Sequence, residues 1–272
     1  YYTYLWTISH IVEAAGEFGV EVLMLDRPNP LGGKVVAGPP LEPECSSLVG
    51  RYNIPVRHGM TLGEIVPMIN RQWNPMPAAL QVIPCQGLRR DMSWEQTGLP
   101  FVPTSPGMAH LVTARHYPGA CLIEGTTLSE GRGTPLPFEV VGAPYIDGLA
   151  LAEHLNEQGW AGVRFRAHSF VPSARKYPGE YCHGVQAHIT DLYAYEPIST
   201  WLGVIREIHH LYPREFAWTP PYETRMHFDL LMGNSRARPA IDQDAPLSAL
   251  IAGWQEYGAQ FEKDRQPYLL YE

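Results

Sequence analysis

A glycine-rich segment, CLIEGTTLSEGRGTP at residues 121–135, carries two acids and an arginine, Glu124, Glu130 and Arg132. Paired carboxyl groups can perform general acid–base or nucleophilic chemistry, and an arginine can bind a carboxylate through two parallel hydrogen bonds. An apolar run over 120–123 leads directly into the segment. A solvated turn would explain the same residues if the segment stood alone, so the surrounding elements have to decide between the two interpretations.

Helices and strands alternate along the first half of the chain. The stretch 3–18 has apolar residues at helical spacing and is followed by Gly19, a typical C-terminal cap. Thr61 and Glu64 have the spacing of a capping box. The apolar run at 20–26 is nearly continuous, as in strands buried on both faces of a parallel sheet. We predict an open α/β sheet with parallel strands, built from helices over 3–18, 61–70 and 105–119 and strands over 20–26, 78–84 and 120–125.

The pattern changes after the sequence GAPYID at 142–147. One helical stretch, two strand-like stretches and three further helices follow. This order indicates a separate, smaller α+β domain, so we predict two domains, over 1–144 and over 145–272. The predicted elements of the second are helices near 148–159, 196–211, 222–232 and 246–264 and strands near 162–173 and 183–191.

The bulk composition argues against several classes of protein. Of the 272 residues, 45% are hydrophobic and 18% are charged, which is typical of a globular protein with a substantial core. A net charge of −8 argues against a nucleic-acid partner, because phosphate backbones are bound by basic surfaces. No apolar run approaches the ~20 residues of a membrane-spanning helix. The spacing of the cysteines favours buried thiols over a zinc site and leaves a disulfide open; they are Cys45, Cys85, Cys121 and Cys182.

Three loops follow the predicted strands and would lie at the carboxyl edge of the sheet, where open α/β folds bind ligands. Their sequences are DRPNPLGG, PCQGLRRDMSW and EGTTLSEGRGT. Acids accept hydrogen bonds from sugar hydroxyls, arginine binds carboxylates, and an aromatic ring stacks on a pyranose. Each residue alone is better explained by a surface ion pair, but the convergence of all three loops on one edge of the sheet makes a sugar site an equal alternative. The candidates are Asp26, Arg27, Asn29, Arg89, Arg90, Trp94, Glu124, Glu130 and Arg132, with His58 as either a site or a loop residue.

Signatures of other enzyme classes are missing from the sequence. The spacings GxGxxG and GxxxxGK[ST], which bind nucleotide phosphates, do not occur. The GxSxG elbow of α/β hydrolases is also missing. In the sequence CHGVQAH, His183 and His188 would face opposite sides of a strand, which argues against a metal site with Cys182.

A series of motifs runs through the chain in a fixed order: YTYLWT, LDRPNPLGG, VGRYNIPVRHGMTLGE, MSWEQTGLPFVPTSPGM, YPGACLIEGTTLSEGRGTPLPFEVVGAPYID and FDLLMGN. Together they resemble the exo-β-N-acetylmuramidase family, the NamZ-like glycoside hydrolases long classed as a domain of unknown function. The similarity extends from residue 1 almost to Tyr271, so it is specific to this family.

The resemblance implies a Rossmann-like N-terminal domain with an open, mostly parallel sheet, a smaller C-terminal domain and a site between them. It implies an exported enzyme, periplasmic or extracellular, that releases N-acetylmuramic acid from the non-reducing end of peptidoglycan fragments without a cofactor. The family has a section ahead of YTYLWT with a GPEHG-like motif, whose glutamate is a leading catalytic candidate. We expect that this chain lacks that section and that its sheet is incomplete at the N-terminus.

Glycoside hydrolysis generally uses two carboxyl groups, one of which is protonated near neutral pH. Glu124, directly after a predicted buried strand, is the predicted catalytic residue, and Glu130 would bind hydroxyls or hold Arg132. The lactyl carboxylate of muramic acid would pair with Arg132 or Arg27. Further substrate contacts are expected from Tyr2, Thr3, Tyr4, Asp26, Asn29 and His58.

Two other functions stay open on the sequence alone. The same site without a complete acid pair would be a non-catalytic module that binds muropeptides or sugars. A nucleotide-dependent α/β enzyme is the other alternative, and the missing phosphate loop counts against it.

Overall fold

The computed structural model describes residues 2–272, which form two compact units. The first unit runs to Pro100 and takes up Ala252–Glu272, and the second comprises Phe101–Ile251. The boundary predicted at 144/145 falls inside this second unit, between a strand at Val140–Ala143 and a helix at Gly148–Glu157. That strand pairs with a later strand of the same unit, so the chain on both sides of residue 145 belongs to one sheet-containing unit.

The first unit contains two helices and a two-stranded parallel sheet, and part of the last helix of the chain belongs to it. Its elements are α1 (Tyr4–Phe18), β1 (Val22–Leu25), α2 (Leu62–Gln72) and β2 (Leu80–Ile83), with 3₁₀ helices at Pro43–Cys45, Glu95–Thr97 and Gln266–Tyr268. The strands pair in parallel, with a register that runs from Val22 opposite Leu80 to Leu25 opposite Ile83. The crossover from β1 to β2 contains α2, which makes this a βαβ unit.

Local signals in the sequence set the helix boundaries of this unit as predicted. Gly19 ends α1 in the left-handed conformation, with φ of 64°, and its amide donates to the carbonyl of Gly16 at 3.3 Å. At the start of α2 the amide of Thr61 donates to Glu64 Oε2 at 3.0 Å, which is the predicted capping interaction. The buried residues of the two helices, among them Val12 and Ile65, form the core of the unit.

The prediction that the first strand is buried on both faces was wrong. Val22 and Met24 pack on the core formed by α1 and α2, but Leu23 and Leu25 are 60% and 71% exposed. The helices of this unit cover one face of the sheet, so alternate residues of both strands face outward. A nearly continuous apolar run therefore does not reveal by itself how many faces are covered.

The second unit combines a three-stranded antiparallel sheet with several helices. Its elements are α3 (Leu111–Ala120), β3 (Val140–Ala143), α4 (Gly148–Glu157), β4 (Val163–Phe170), β5 (Cys182–Ile189), α5 (Pro197–Leu211), α6 (His227–Met232) and α7 (Ala237–Asp242), and α8 (Ser248–Arg265) begins in it. The strand order is β3–β5–β4. The register pairs Ala143 with His183, and Phe170 with Cys182.

The strand predicted over 120–125 was also wrong. The residues Cys121–Gly125 form a 3₁₀ helix that continues α3, and Ala120 to Ile123 are at most 1% exposed. Gly125 is packed so tightly against α6 that a Cβ there would lie 2.6 Å from the Cα of Phe228. A short apolar run suits a buried helical turn as well as a strand, and here the close packing on α6 decides the outcome.

The fold is thus mixed α/β, with a small parallel sheet in one unit and a separate antiparallel sheet in the other. Within residues 2–272 the four cysteines form no disulfide. Among the helices of that same range, none combines the length and the apolar character needed to cross a membrane.

Candidate functional site

Glu124 and Arg132 form an ion pair in the second unit. Glu124 lies in the 3₁₀ helix that continues α3, and Arg132 follows in the glycine-rich loop. The Arg132 Nε donates to Glu124 Oε1 at 3.0 Å, and Nη2 donates to the same oxygen. Arg132 Nε also lies 3.3 Å from Oε1 of Glu130. The structure thus contains the predicted pairing of Glu130 with Arg132 and brings both acids of the loop to one guanidinium group.

The two acids differ in exposure in a way that the sequence did not reveal. The Glu124 side chain is 22% exposed, whereas that of Glu130 is only 3% exposed. The loop folds back on itself, because the amide of Phe138 donates to the carbonyl of Glu130 at 2.7 Å and Ser129 bridges to Gly142. Glu130 therefore does not lie further out on the loop, and of the two acids Glu124 is the one that solvent reaches.

Lys176 is a further member of the cluster that was not identified from the sequence. Its ammonium nitrogen donates to the carbonyls of Ile123 at 2.9 Å and Leu128 at 2.7 Å. The same nitrogen lies 3.3 Å from Oε2 of Glu130. Burial lowers the pKa of Lys176 below its ordinary value, and the charge of Glu130 offsets part of this effect. Lys176 thus links the backbone on both sides of Glu124, at Ile123 and Leu128, and compensates the buried negative charge of Glu130.

His227, the first residue of α6, is the second residue that the sequence did not single out. Its side chain donates a hydrogen bond to the carboxylate of Glu124. Burial alone would raise the pKa of Glu124, but this hydrogen bond and the charge of Arg132 outweigh it and lower the pKa below its ordinary value. Glu124 is therefore an ionised carboxylate at neutral pH. One signal could have found His227, since it directly precedes the motif FDLLMGN.

The Arg132 guanidinium is also held by packing. Its Cζ lies 4.8 Å from the centre of the Phe138 ring, which is a cation–π distance. On another side, a Cβ at Gly107 would lie 2.6 Å from Arg132 Nη1, so only glycine leaves room for the guanidinium there. Two carboxylates, the ring of Phe138 and the close-packed backbone at Gly107 therefore fix the position of the Arg132 guanidinium.

Asp26, a predicted substrate-binding residue, lies in the first unit, where its carboxylate accepts hydrogen bonds from other residues of the same unit. Its carboxylate accepts hydrogen bonds from Thr61 Oγ1 at 2.7 Å, the Gly63 amide at 2.7 Å and the Tyr271 hydroxyl at 2.5 Å. Burial and the hydrogen bond to Asp26 raise the pKa of Tyr271. Asp26 therefore connects the end of β1 to the start of α2, a position that favours a negative charge.

The other residues predicted to bind substrate in this part of the chain, Arg27, Asn29 and His58, differ in their contacts and exposure. Asn29 Nδ2 donates to the carbonyl of Met60 at 2.9 Å, and its Oδ1 accepts from the Leu31 amide at 2.9 Å. The half-buried His58 accepts from the Met60 amide at 3.1 Å through Nδ1. Burial lowers the pKa of His58 to about 4, and the nearby charge of Arg265 contributes. The Arg27 side chain is exposed.

The loops after β1 and β2 meet as predicted. The Gly33 amide donates to the carbonyl of Arg90 at 3.3 Å, and Arg90 Nη1 donates to the carbonyl of Gly59 at 2.9 Å. Arg90 also forms an ion pair with the fully buried Glu64. The arginine thus binds carbonyls and an acid of its own unit.

The residues at the start of α1 complete the predicted set. The rings of Tyr2 and Tyr4 are in edge-to-face contact, with their centres 4.9 Å apart. The carbonyl of Thr3 accepts from the Thr7 amide at 2.8 Å. The structure therefore divides the predicted site into two groups. Glu124, Glu130 and Arg132 form one cluster in the second unit, and the remaining predicted residues lie in the first unit.

Both halves of the chain match models of a known family. The model described as "Exo-beta-N-acetylmuramidase NamZ, N-terminal" matches residues 1–112, and its C-terminal counterpart matches residues 115–271. The chain belongs to the exo-β-N-acetylmuramidase NamZ family. This confirms the resemblance derived from the motifs, and the Glu124 cluster lies within the part that the C-terminal NamZ model matches.

Relatives of the NamZ family agree with this assignment. The chain is 43% identical over 271 residues to the peptidoglycan β-N-acetylmuramidase NamZ of Bacillus subtilis (strain 168), with 100% of this chain and 64% of that protein covered. A solved structure of a DUF1343 family protein from Bacteroides fragilis NCTC 9343 is similar, with a TM-score of 0.92 and 31% identity over 99% of this chain and 71% of that one. A second DUF1343 family structure from the same organism has a TM-score of 0.78 and 30% identity, over 100% of this chain and 72% of the other. The chain thus spans less than two thirds of the length of the Bacillus relative.

Proposed function

We propose that this protein acts as a glycoside hydrolase that releases N-acetylmuramic acid from the non-reducing end of peptidoglycan fragments. The family assignment supports this activity, since the relative that is 43% identical to this chain is named a peptidoglycan β-N-acetylmuramidase. The observation that carries the proposal is the cluster around Glu124, where an ionised, partly exposed carboxylate is held by Arg132 and His227.

Glu124 is suited to the negatively charged role in this reaction. Glycoside hydrolysis passes through a transition state that resembles an oxocarbenium ion, and a fixed carboxylate stabilises its positive charge. The lowered pKa keeps Glu124 ionised, so we assign it the role of charge stabiliser, base or nucleophile. The proton for the leaving oxygen has to come from another group.

His227 contacts the carboxylate of Glu124 beside Arg132. A protonated imidazole can donate a proton to a leaving oxygen, and its charge favours the ionised form of the neighbouring carboxylate. We therefore propose His227 as the proton donor or as the residue that sets the charge of Glu124.

Arg132 is a positioning residue in this proposal. Because it is paired with both Glu124 and Glu130, a lactyl carboxylate could bind there only in competition with these acids. The exposed Arg27 stays the alternative partner for the lactyl group. Asp26 and Asn29 use their polar atoms within the fold, so we propose that they shape the loop after β1.

The experiment is release of N-acetylmuramic acid from a MurNAc–GlcNAc disaccharide by the wild-type protein and by Glu124→Gln. The variant keeps the size of the side chain and removes its charge, so we expect kcat to fall by about 10²–10⁴-fold. Glu153→Gln, an exposed position on α4, is the matched control and should keep the wild-type rate. A Glu124→Gln variant with wild-type kcat would remove Glu124 from the mechanism, and a wild-type protein without turnover would contradict the enzymatic function.

A non-catalytic module that binds muropeptides or sugars is the second candidate. It is favoured by the finding that both acids of the loop, Glu124 and Glu130, are paired with cations. Calorimetry with the same disaccharide separates the two functions, because a binding module would bind it without releasing muramic acid.

Two finer properties belong to the same proposal. The βαβ unit β1–α2–β2 supports a Rossmann-like arrangement for the first unit. A substrate that derives from the cell wall supports an exported protein, periplasmic or extracellular. Fractionation of cells that produce the protein would test the location, and activity found only in the cytoplasmic fraction would contradict it.

A further inference from the structure

A chain segment in the second unit, residues 217–227, contacts Glu124 near both of its ends; we call it the Glu124 strap. Near its start, the Thr219 hydroxyl donates to the backbone carbonyl of Glu124 at 3.1 Å. The Thr219 amide donates to the carbonyl of Gly125 at 2.9 Å. At its end, the side chain of His227 donates to the carboxylate of the same Glu124. The strap is therefore attached to Glu124 near both of its ends.

The outer part of the Glu124 strap is a tight hairpin. The Tyr222 amide donates to the Arg225 carbonyl at 3.1 Å, and the Arg225 amide donates back to the Tyr222 carbonyl at 3.1 Å. Glu223, in the turn, has φ of 55°, a left-handed conformation that is costly for any residue with a Cβ. Pro220 and Pro221 precede the hairpin and restrict their own φ angles. The hairpin is thus closed by two backbone hydrogen bonds, and the prolines before it limit its conformations.

The two large aromatic side chains of the Glu124 strap have opposite environments. Trp218 is packed between Phe216 and Phe228, with ring centres 5.1 Å and 4.6 Å away, and its Nε1 donates to Asp242 at 2.7 Å. Tyr222 is 76% exposed. Since a residue spans at most about 3.6 Å of extended chain, the Cα of Tyr222 lies within about 11 Å of the Thr219 Cα. Tyr222 is therefore an exposed aromatic residue in the segment that contacts Glu124.

We propose that Tyr222 is a sugar-stacking residue that binds a pyranose ring of the glycan held at Glu124. The apolar C–H face of a pyranose packs on the face of an aromatic ring, whose π electrons attract the C–H hydrogens. Pro220 and Pro221 restrict the backbone of the strap, which reduces the conformational entropy that binding would cost. This inference rests on the proposed glycosidase or sugar-binding function and names the residue that orients its substrate.

The test compares Tyr222→Ala and Tyr222→Phe with the wild-type protein. Both turnover of MurNAc–GlcNAc and calorimetric binding of the same disaccharide are measured. Tyr222→Ala should raise KM and the dissociation constant by about tenfold and leave kcat within about twofold. Tyr222→Phe keeps the ring and should behave as wild type in both measurements. The matched control is Tyr193→Ala, a tyrosine of the same unit that is 90% exposed, and it should change neither quantity.

The outcomes separate this inference from the proposed activity. A wild-type protein that binds the disaccharide without turnover would contradict the enzymatic function, while a binding loss in Tyr222→Ala would still support the stacking role. Tyr222→Ala with wild-type affinity would overturn the inference, and so would a loss of the same size in Tyr193→Ala. A loss in Tyr222→Phe equal to that in Tyr222→Ala would also overturn it, because the hydroxyl and not the ring would then make the contact. A wild-type protein that does not bind the disaccharide would overturn both proposals.

Discussion

Arg132 determines the charge of the proposed catalytic residue as well as its position. Its guanidinium lies between Glu124 and Glu130, and together with His227 it keeps the pKa of Glu124 below its ordinary value against the effect of burial. An arginine in this position selects the ionised carboxylate and restricts its rotation at the same time.

Replacement of Arg132 by alanine should raise the pKa of Glu124. The largest positive charge that opposes burial would then be lost, so the acidic limb of the kcat/KM profile should move to higher pH by about one unit. The measurement is the pH dependence of muramic acid release between about pH 4 and pH 8. Arg214→Ala, at an exposed position of the same unit, should leave the profile unchanged. An unshifted acidic limb in Arg132→Ala would mean that Glu124 ionisation does not limit the reaction.

The sequence predicted one part of this cluster and missed another for a physical reason. Glu130 and Arg132 lie two positions apart, so the segment alone already suggested their pairing, whereas the ion pair of Glu124 with Arg132 was not predicted. Lys176 and His227 come from distant segments that only tertiary packing brings to Glu124. The contribution of His227 to the lowered pKa of Glu124 therefore could not be predicted from the sequence.

At the scale of secondary structure, the Asp26 carboxylate connects three segments of the first unit. One carboxylate accepts from the Thr61 hydroxyl, the Gly63 amide and the Tyr271 hydroxyl, and so links β1, α2 and the C-terminal segment. Asp26 is 9% exposed, so few water molecules could accept hydrogen bonds from its three donors if the carboxylate were removed.

Asp26→Ala should therefore reduce the free energy of unfolding of the first unit by about 3 kcal/mol, since it leaves buried donors without an acceptor. Urea denaturation followed by circular dichroism measures the change. Asp91→Ala is the control, because this half-exposed acid forms a surface ion pair with Arg89 at 3.1 Å and its loss should cost less than about 0.5 kcal/mol. A loss in Asp26→Ala no larger than that of the control would show that the Asp26 hydrogen bonds do not stabilise the fold.

The elements that were predicted correctly are those whose limits depend on local chemistry. Gly19 ends α1 and the pair Thr61–Glu64 starts α2, as expected from the sequence. The strand predicted over 120–125 failed, because its length and composition suit a buried turn of helix equally well and packing on α6 decides between the two. The exposure of β1 likewise depends on which elements cover the sheet, and no local pattern encodes that.

At the scale of the whole molecule, each unit contains a histidine whose pKa is lowered by burial. His58 in the first unit has a pKa of about 4, with a contribution from Arg265. His116 in the second unit is completely buried, its Nδ1 lies 2.7 Å from the Tyr195 hydroxyl, and its pKa is about 3. Both side chains are neutral in the folded protein at pH values where an unfolded chain already binds protons.

Both units should therefore lose stability in mild acid. A histidine with a folded pKa below its unfolded value of about 6.5 contributes stability that is fully present above pH 6.5 and is lost as the pH falls towards the folded pKa. For His58 the loss between about pH 6.5 and pH 4.5 is at most about 3 kcal/mol. His58→Asn keeps an acceptor for the Met60 amide and should remove this part of the pH dependence, as measured by urea denaturation at the two pH values. His210→Asn, at an exposed position, should keep the wild-type dependence. If His58→Asn and the wild-type protein lose equal stability between the two pH values, the first unit does not hold His58 in its neutral form.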